Sequence, residues 1–154
     1  MIPLERFTNE ARAALERVQQ LLMRLRHNQL DAEHLLLSLL SEPDGLVKAA
    51  FDKLESFDPT QLLEWLRAEL GRRPVATQSG AVFITPRARQ VLQQALADAQ
   101  QRGDQFAGTE HLLLALLADP RDELTQAASR AGLTQAGLAR AFAEVRGGRP
   151  IPMR

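Results

Sequence analysis

An all-α fold is the expectation for this 154-residue chain, and three observations support it. The sequence carries 27 Leu and 23 Ala against only 6 Val and 3 Ile. Unbranched and γ-branched side chains keep their rotamer freedom in helices, whereas β-branched and aromatic ones favour strands. Aromatic residues are 5% of the chain, and there is no Tyr. Finally, one pattern is written twice at a shift of 77, the sign of a structural repeat. Phe7-Thr8 falls on Ile84-Thr85, Ala11-Arg12 on Ala88-Arg89, and Glu33–Pro43 (EHLLLSLLSEP) on Glu110–Pro120 (EHLLLALLADP).

Each repeat reads as four helices, about eight in all. The first helix of each begins at Thr8 or Thr85, where a hydroxyl can cap an orphan amide. Pro86 occupies the first helical position, which tolerates proline. Apolar residues follow at alternating spacings of four and three, through Ala11, Leu15, Val18, Leu22 and Leu25, and through Ala88, Leu92, Ala95 and Ala99. Arg102-Gly103-Asp104 supplies a stop, with glycine free to take positive φ. The second helix starts near Asp31-Ala32 or Gly108-Thr109 and runs to about Ser41 or Ala118. Its block of five leucines in six positions leaves little polar face, so it is expected to be central and buried. Pro43 and Pro120 lie beyond its end. A third helix spans roughly 45–55 and 122–131. A fourth follows Asp58-Pro59 in the first copy and Thr134 in the second. Repeat one is thus 4–70, the glycine- and proline-bearing stretch 71–83 a linker, repeat two 84–146, and 147–154 a flexible tail.

Charge and motifs narrow the function. Nineteen basic residues balance nineteen acidic ones, which argues against a dedicated nucleic-acid or anionic-membrane binder. No cysteine is present, so disulfides, thiol catalysis and cysteine-held metals are excluded. No apolar run approaches a membrane span, and the N-terminus has no export signal, so a cytoplasmic setting is expected. The only lysines, Lys48 and Lys53, precede Ala49 and Leu54, so no P-loop exists. No serine-hydrolase elbow or zincin motif occurs either, and no catalytic residue is assigned. His34 and His111 are repeat mates that each follow a glutamate. Neighbours on a helix project about 100° apart, so each is expected to be a structural histidine in the first turn of its central helix rather than part of a metal site.

The two copies resemble the double Clp N-terminal repeat of the AAA+ unfoldases and disaggregases, the ClpB, ClpC and ClpA group. RFTNEARAAL resembles the opening of that domain. ITPRARQVLQQALADAQQRGDQFAGTEHLLLALL is similar to its second repeat, and EVRGGRP to the close of a ClpB-type domain. The resemblance covers residues 3–149. It implies that the two repeats are related by a pseudo-twofold and form a non-catalytic, monomeric module that captures unfolded or aggregated polypeptide, or docks an adaptor protein, for an AAA+ ring attached in cis or met in trans. ATP and Mg²⁺ would act only in ATPase modules beyond this chain, and no cofactor is expected here. A free-standing regulator of a Clp ATPase or protease is the alternative. The resemblance also points to Thr8, Glu33, Thr85, Asp104 and Glu110 as contacts, and for ClpC-like members to phosphoarginine-marked proteins as ligands. Helix N-terminal amides favour a phosphoryl group and a carboxylate can fork a guanidinium, with Arg12 and Arg89 adding positive charge nearby. The same residues have a plainer reading as caps and as acidic residues suited to helix N-termini. Polar Gln94 and Asp98 stand where ClpB-like members carry apolar groove residues, which weakens a ClpB-style groove in repeat two.

Overall fold

The computed structural model describes residues 2–77 and 80–147. After a short 3-10 turn at Leu4–Arg6 come eight α-helices, α1 (Asn9–Leu25), α2 (Ala32–Ser41), α3 (Gly45–Asp52), α4 (Pro59–Gly71), α5 (Pro86–Gln101), α6 (Thr109–Leu116), α7 (Glu123–Arg130) and α8 (Gln135–Arg146). The expected helices are all present, with α6 ending two residues before its anticipated stop at Ala118. The tail expected over 147–154 lies outside the described residues except Gly147, which caps α8 in the left-handed conformation at φ 59°.

Two features depart from a purely helical reading. Gln29–Leu30 (β1) and Phe83–Ile84 (β2) form a two-residue parallel pair, so the inter-repeat linker ends in a strand. Phe7 makes the matching bridge to Ala107. Thr8 N–H donates to the Ala107 carbonyl at 2.9 Å, and Thr85 N–H to the Leu30 carbonyl at 3.0 Å. Each repeat's first helix therefore begins against the segment that leads into the other repeat's central helix. The repeats interlock rather than sit side by side.

The local sequence explains the helix ends. Thr8 Oγ1 accepts from Ala11 N–H at 3.2 Å, and Thr85 Oγ1 from Ala88 N–H at 3.1 Å. Asp44, Asp58, Asp122 and Thr134 cap α3, α4, α7 and α8 in the same way. Gly103 closes the α5 end at φ 78°, and its repeat mate Arg26 takes φ 58° at the end of α1. An L-residue holds that conformation at a cost of roughly 1–2 kcal/mol, so tertiary packing must impose it. Every residue of α2 from Ala32 to Leu40 is buried, as the leucine block implies. The apolar core is one continuous cluster drawn from both repeats. At its far end the α3–α4 and α7–α8 loops meet, where Asp58 N–H donates to the Ala131 carbonyl at 2.7 Å.

Candidate functional site

Four of the residues picked out in the sequence, Glu33, Thr85, Asp104 and Glu110, fall into two clusters, one at each crossed helix start. In the first, Thr85 Oγ1 donates to Asp31 Oδ1 at 2.8 Å, while Asp31 begins α2 and accepts from Ala32 N–H at 2.8 Å. Glu33, only 3% exposed, is forked by Arg87, with Nη1 and Nη2 each 3.1 Å from a carboxylate oxygen. The Arg87 side chain also donates to Asp31 at 3.1 Å and to both oxygens of Asp122 at 2.9 and 3.1 Å. Arg73, from the linker, adds contacts to Asp31 and Glu33 at 3.1 Å. Five side chains from the two repeats and the linker thus share one ionic network around the start of α2. Burial works against the Asp31 carboxylate, but the Thr85 hydroxyl, the Ala32 amide and the two arginines outweigh it and hold its pKa below the usual value. Arg87 is pushed above its usual pKa because the paired carboxylates, Glu33 foremost, outweigh its desolvation.

The second cluster gathers Asp104, Glu110 and His111, all buried, while Thr8, buried too, is tied to the same segment by the hydrogen bond from its N–H to the Ala107 carbonyl. Arg146, the last residue of α8, donates Nη2 to Asp104 Oδ1 at 2.7 Å and pairs with Glu110 through Nη1. His111 Nδ1 accepts from Gly108 N–H at 2.8 Å, and its Nε2 lies 2.7 Å from Asp104 Oδ2. The first nitrogen is therefore unprotonated, and the second donates to the carboxylate. Asp104, Glu110 and His111 bring three potential ligand atoms together. Yet both imidazole nitrogens are committed and a guanidinium supplies the counter-charge, so an ion would have to displace Arg146.

Repeat one answers the His111–Asp104 pair with two histidines. His34 Nδ1 accepts from Asp31 N–H at 3.0 Å, so its Nε2 carries the proton and donates to His27 Nδ1 at 2.9 Å. This bond needs His27 Nδ1 unprotonated, and the bond from Asp31 needs His34 Nδ1 unprotonated, so both rings are neutral. Burial lowers the pKa of both, and with the His27 and Arg73 charges it brings His34 down to about 4.

The structure thus brings Thr85 and Glu33 together in one cluster and Asp104 and Glu110 in the other, while Thr8 caps α1 and bonds Ala107. Arg89 joins neither. It is exposed and has no ion-pair partner among the described residues. Arg87, two residues earlier, turns inward instead. Sequence reasoning missed Arg87, Arg73 and Arg146 as the partners of the glutamates. No pattern marks them, since the repeat mate of Arg87 is Glu10, of opposite charge.

The grooves also differ between repeats. An open groove of about 610 Å³ runs between α1, α2 and α4, floored by Leu21, Leu25, Leu37 and Leu70. Its counterpart between α5, α6 and α8 is about 240 Å³ and includes the polar side chains of Gln94, Asp98 and Arg102. The repeat-two groove is thus small and polar beside the leucine-lined groove of repeat one.

Comparison with known proteins places this arrangement. The model for the Clp repeat (R) N-terminal domain matches residues 6–131. The chaperone protein ClpB of Nitratidesulfovibrio vulgaris is 34% identical over 119 residues, which cover 75% of this chain and 14% of that protein. The ATP-dependent Clp protease ATP-binding subunit ClpC of Staphylococcus saprophyticus is 35% identical over 116 residues, covering 74% and 14%. The chain therefore spans about one seventh of the length of these relatives. Among solved structures, the Hsp104 N-terminal domain from Candida albicans superposes with a TM-score of 0.76 at 24% identity, covering 94% of each chain. The N-terminal domain of the ClpV1 ATPase from E. coli EAEC gives 0.73 at 23%, covering 97% of this chain and 93% of that one. With an interlocked double repeat, a buried Glu-His-leucine helix in each copy and a family match over most of its length, the chain belongs to the Clp N-terminal repeat family.

Proposed function

We propose that this chain is a non-catalytic docking domain that presents polypeptide substrates or adaptor proteins to a Clp-type ATPase. The observation that carries the reading is the family match across residues 6–131, in relatives of which this region forms about 14%. The domain is an appendage in those proteins, and the sequence contains no P-loop of its own. ATP and Mg²⁺ then act in separate ATPase modules, in a cytoplasmic setting. Among the described residues no helix is long and apolar enough to cross a membrane. A ClpV N-domain of the same fold has been solved in complex with a VipB peptide, at a TM-score of 0.65 and 16% identity, which supports peptide docking as a use of this scaffold.

Thr8, Glu33, Thr85, Arg89, Asp104 and Glu110 remain the candidate contacts at the two helix starts. At rest their carboxylates are engaged by Arg73, Arg87 and Arg146. An incoming phosphoarginine guanidinium would exchange with one of these, and exposed Arg89 would meet its phosphoryl group. The test is an NMR titration of the domain with free phosphoarginine and, separately, with a permanently unfolded carboxymethylated protein. Saturable shifts with the unfolded chain are expected. Shifts at Thr85, Glu33 and Arg87 with phosphoarginine would assign the helix starts to ligand exchange. A spectrum unmoved by either probe would overturn the docking reading.

A further inference from the structure

The groove of repeat one has a charge pattern that its repeat-two counterpart lacks. Arg17, Arg24 and Arg67 line it along with Glu42, the only acidic residue there. Arg17 is already spent on Glu42, with Nη2 donating to its carbonyl at 3.1 Å and Nε 3.4 Å from its carboxylate. Arg24 and Arg67 are exposed on α1 and α4 and have no ion-pair partner among the described residues. At the repeat mates the arrangement is different. Gln94 stands for Arg17, Asp98 for Leu21 and Arg102 for Leu25, and Arg102 Nε pairs with Asp98 Oδ1 at 2.9 Å. The two repeats share a backbone plan, so the leucine floor and the unneutralised arginines are properties of side-chain choice in repeat one rather than consequences of the fold.

Helices α1 and α4 both pack on α2 and leave a trough between them. Such a trough accepts one further helix through apolar residues at i, i+3, i+4 and i+7. The arginines on both walls then face the flanks of that helix. We propose that the α1–α2–α4 groove binds a short amphipathic helix of a partner protein whose flanks are acidic. Half-buried Leu25 and the exposed edges of Leu21 and Leu37 would receive its apolar face, and Arg24 and Arg67 its carboxylates. This inference rests on the docking reading and names the partner chemistry for it. Contact with one half-buried leucine and the narrow exposed edges of two others makes the affinity modest, and the exposed ion pairs make it salt-dependent.

The experiment uses a fluorescein-labelled helical peptide with leucines at i, i+3, i+4 and i+7 and glutamates on its flanks, and the same peptide with lysines for glutamates. Fluorescence anisotropy is expected to show binding of the acidic peptide, weakening with added salt, and much poorer binding of the basic one. The double variant Arg24→Glu with Arg67→Glu, both exposed positions, is expected to weaken the acidic peptide about tenfold or more at low salt. Circular dichroism checks that it folds. NMR shifts should fall on Leu21, Leu25 and Leu37. Equal binding of the two peptides, an unchanged affinity in the double variant, or shifts on the Gln94 and Asp98 face would each overturn the proposal. If the acidic peptide fails while the carboxymethylated protein still binds, the groove assignment is wrong and the docking reading stands. If neither binds, both fall.

Discussion

Replacing His27 with aspartate is expected to make the domain more resistant to acid. In the parent, the two bonds from Asp31 N–H to His34 and from His34 to His27 together need both rings neutral, and the His34 pKa is lowered to about 4 from its ordinary 6.5. A histidine with a depressed folded pKa binds its proton more readily when unfolded. Its contribution is fully present above the unfolded pKa, near 6.5, and is lost progressively as pH falls towards 4. A difference of about 2.5 pKa units corresponds to about 3 kcal/mol. The His27→Asp change installs what repeat two already has at the same position, where the carboxylate of Asp104 accepts from His111 Nε2. The new carboxylate can accept from His34 and tolerate its protonation, with Arg73 close enough to offset the added charge. Stability of parent and variant is read from urea unfolding followed by circular dichroism between pH 7 and about pH 4. The parent should lose about 3 kcal/mol more over this window than can be assigned to its other groups, and the variant less than half as much. Asp31, whose pKa is depressed, loses its contribution only below the ordinary carboxylate range, so it does not confuse the comparison. An equal loss in both proteins would refute the reasoning.

The other expectations concern the crossed helix starts and the loop contact. Arg146→Ala removes the guanidinium from two carboxylates that are 1% and 3% exposed, and should cost about 3 kcal/mol in urea unfolding. Arg146→Lys should restore only part of this, since an ammonium cannot fork Asp104 while reaching Glu110. Gly132 has φ 94°, and a Cβ there would lie 2.1 Å from the Ser56 carbonyl oxygen, so Gly132→Ala should lower the melting temperature sharply. Gly103→Ala, at φ 78° in open space, should cost only about 1 kcal/mol, and an equal effect at both glycines would rule out the loop contact as the cause.

Much of the fold could be read directly from the chain. Thr8, Thr85, Asp58 and Thr134 announced helix starts because an N-cap needs only a short oxygen-bearing side chain at the right offset from an apolar face. The leucine block of α2 implied burial on all sides because its apolar residues leave no stripe for water. The Phe83–Ile84 strand was not legible, since two residues carry no periodicity and their pairing with Gln29–Leu30 spans more than fifty positions. The candidate residues were legible as helix-start positions. Their partners were not, because an arginine side chain can reach a carboxylate on any neighbouring element.

The sequence by itself determined the helices, the repeat and the family, because capping, apolar spacing and repetition are all local or periodic signals. Tertiary structure decided what the sites contain. It crossed the two repeats, so that Thr85 meets Asp31 from the other half of the chain. It turned Arg87 inward and left Arg89 outside. It also gave otherwise matching repeats unlike grooves, one floored with leucine and rimmed by arginine, the other small and polar. Those outcomes depend on which side chains the packing of distant helices brings within a few ångströms, and spacing along one strand of sequence does not encode them.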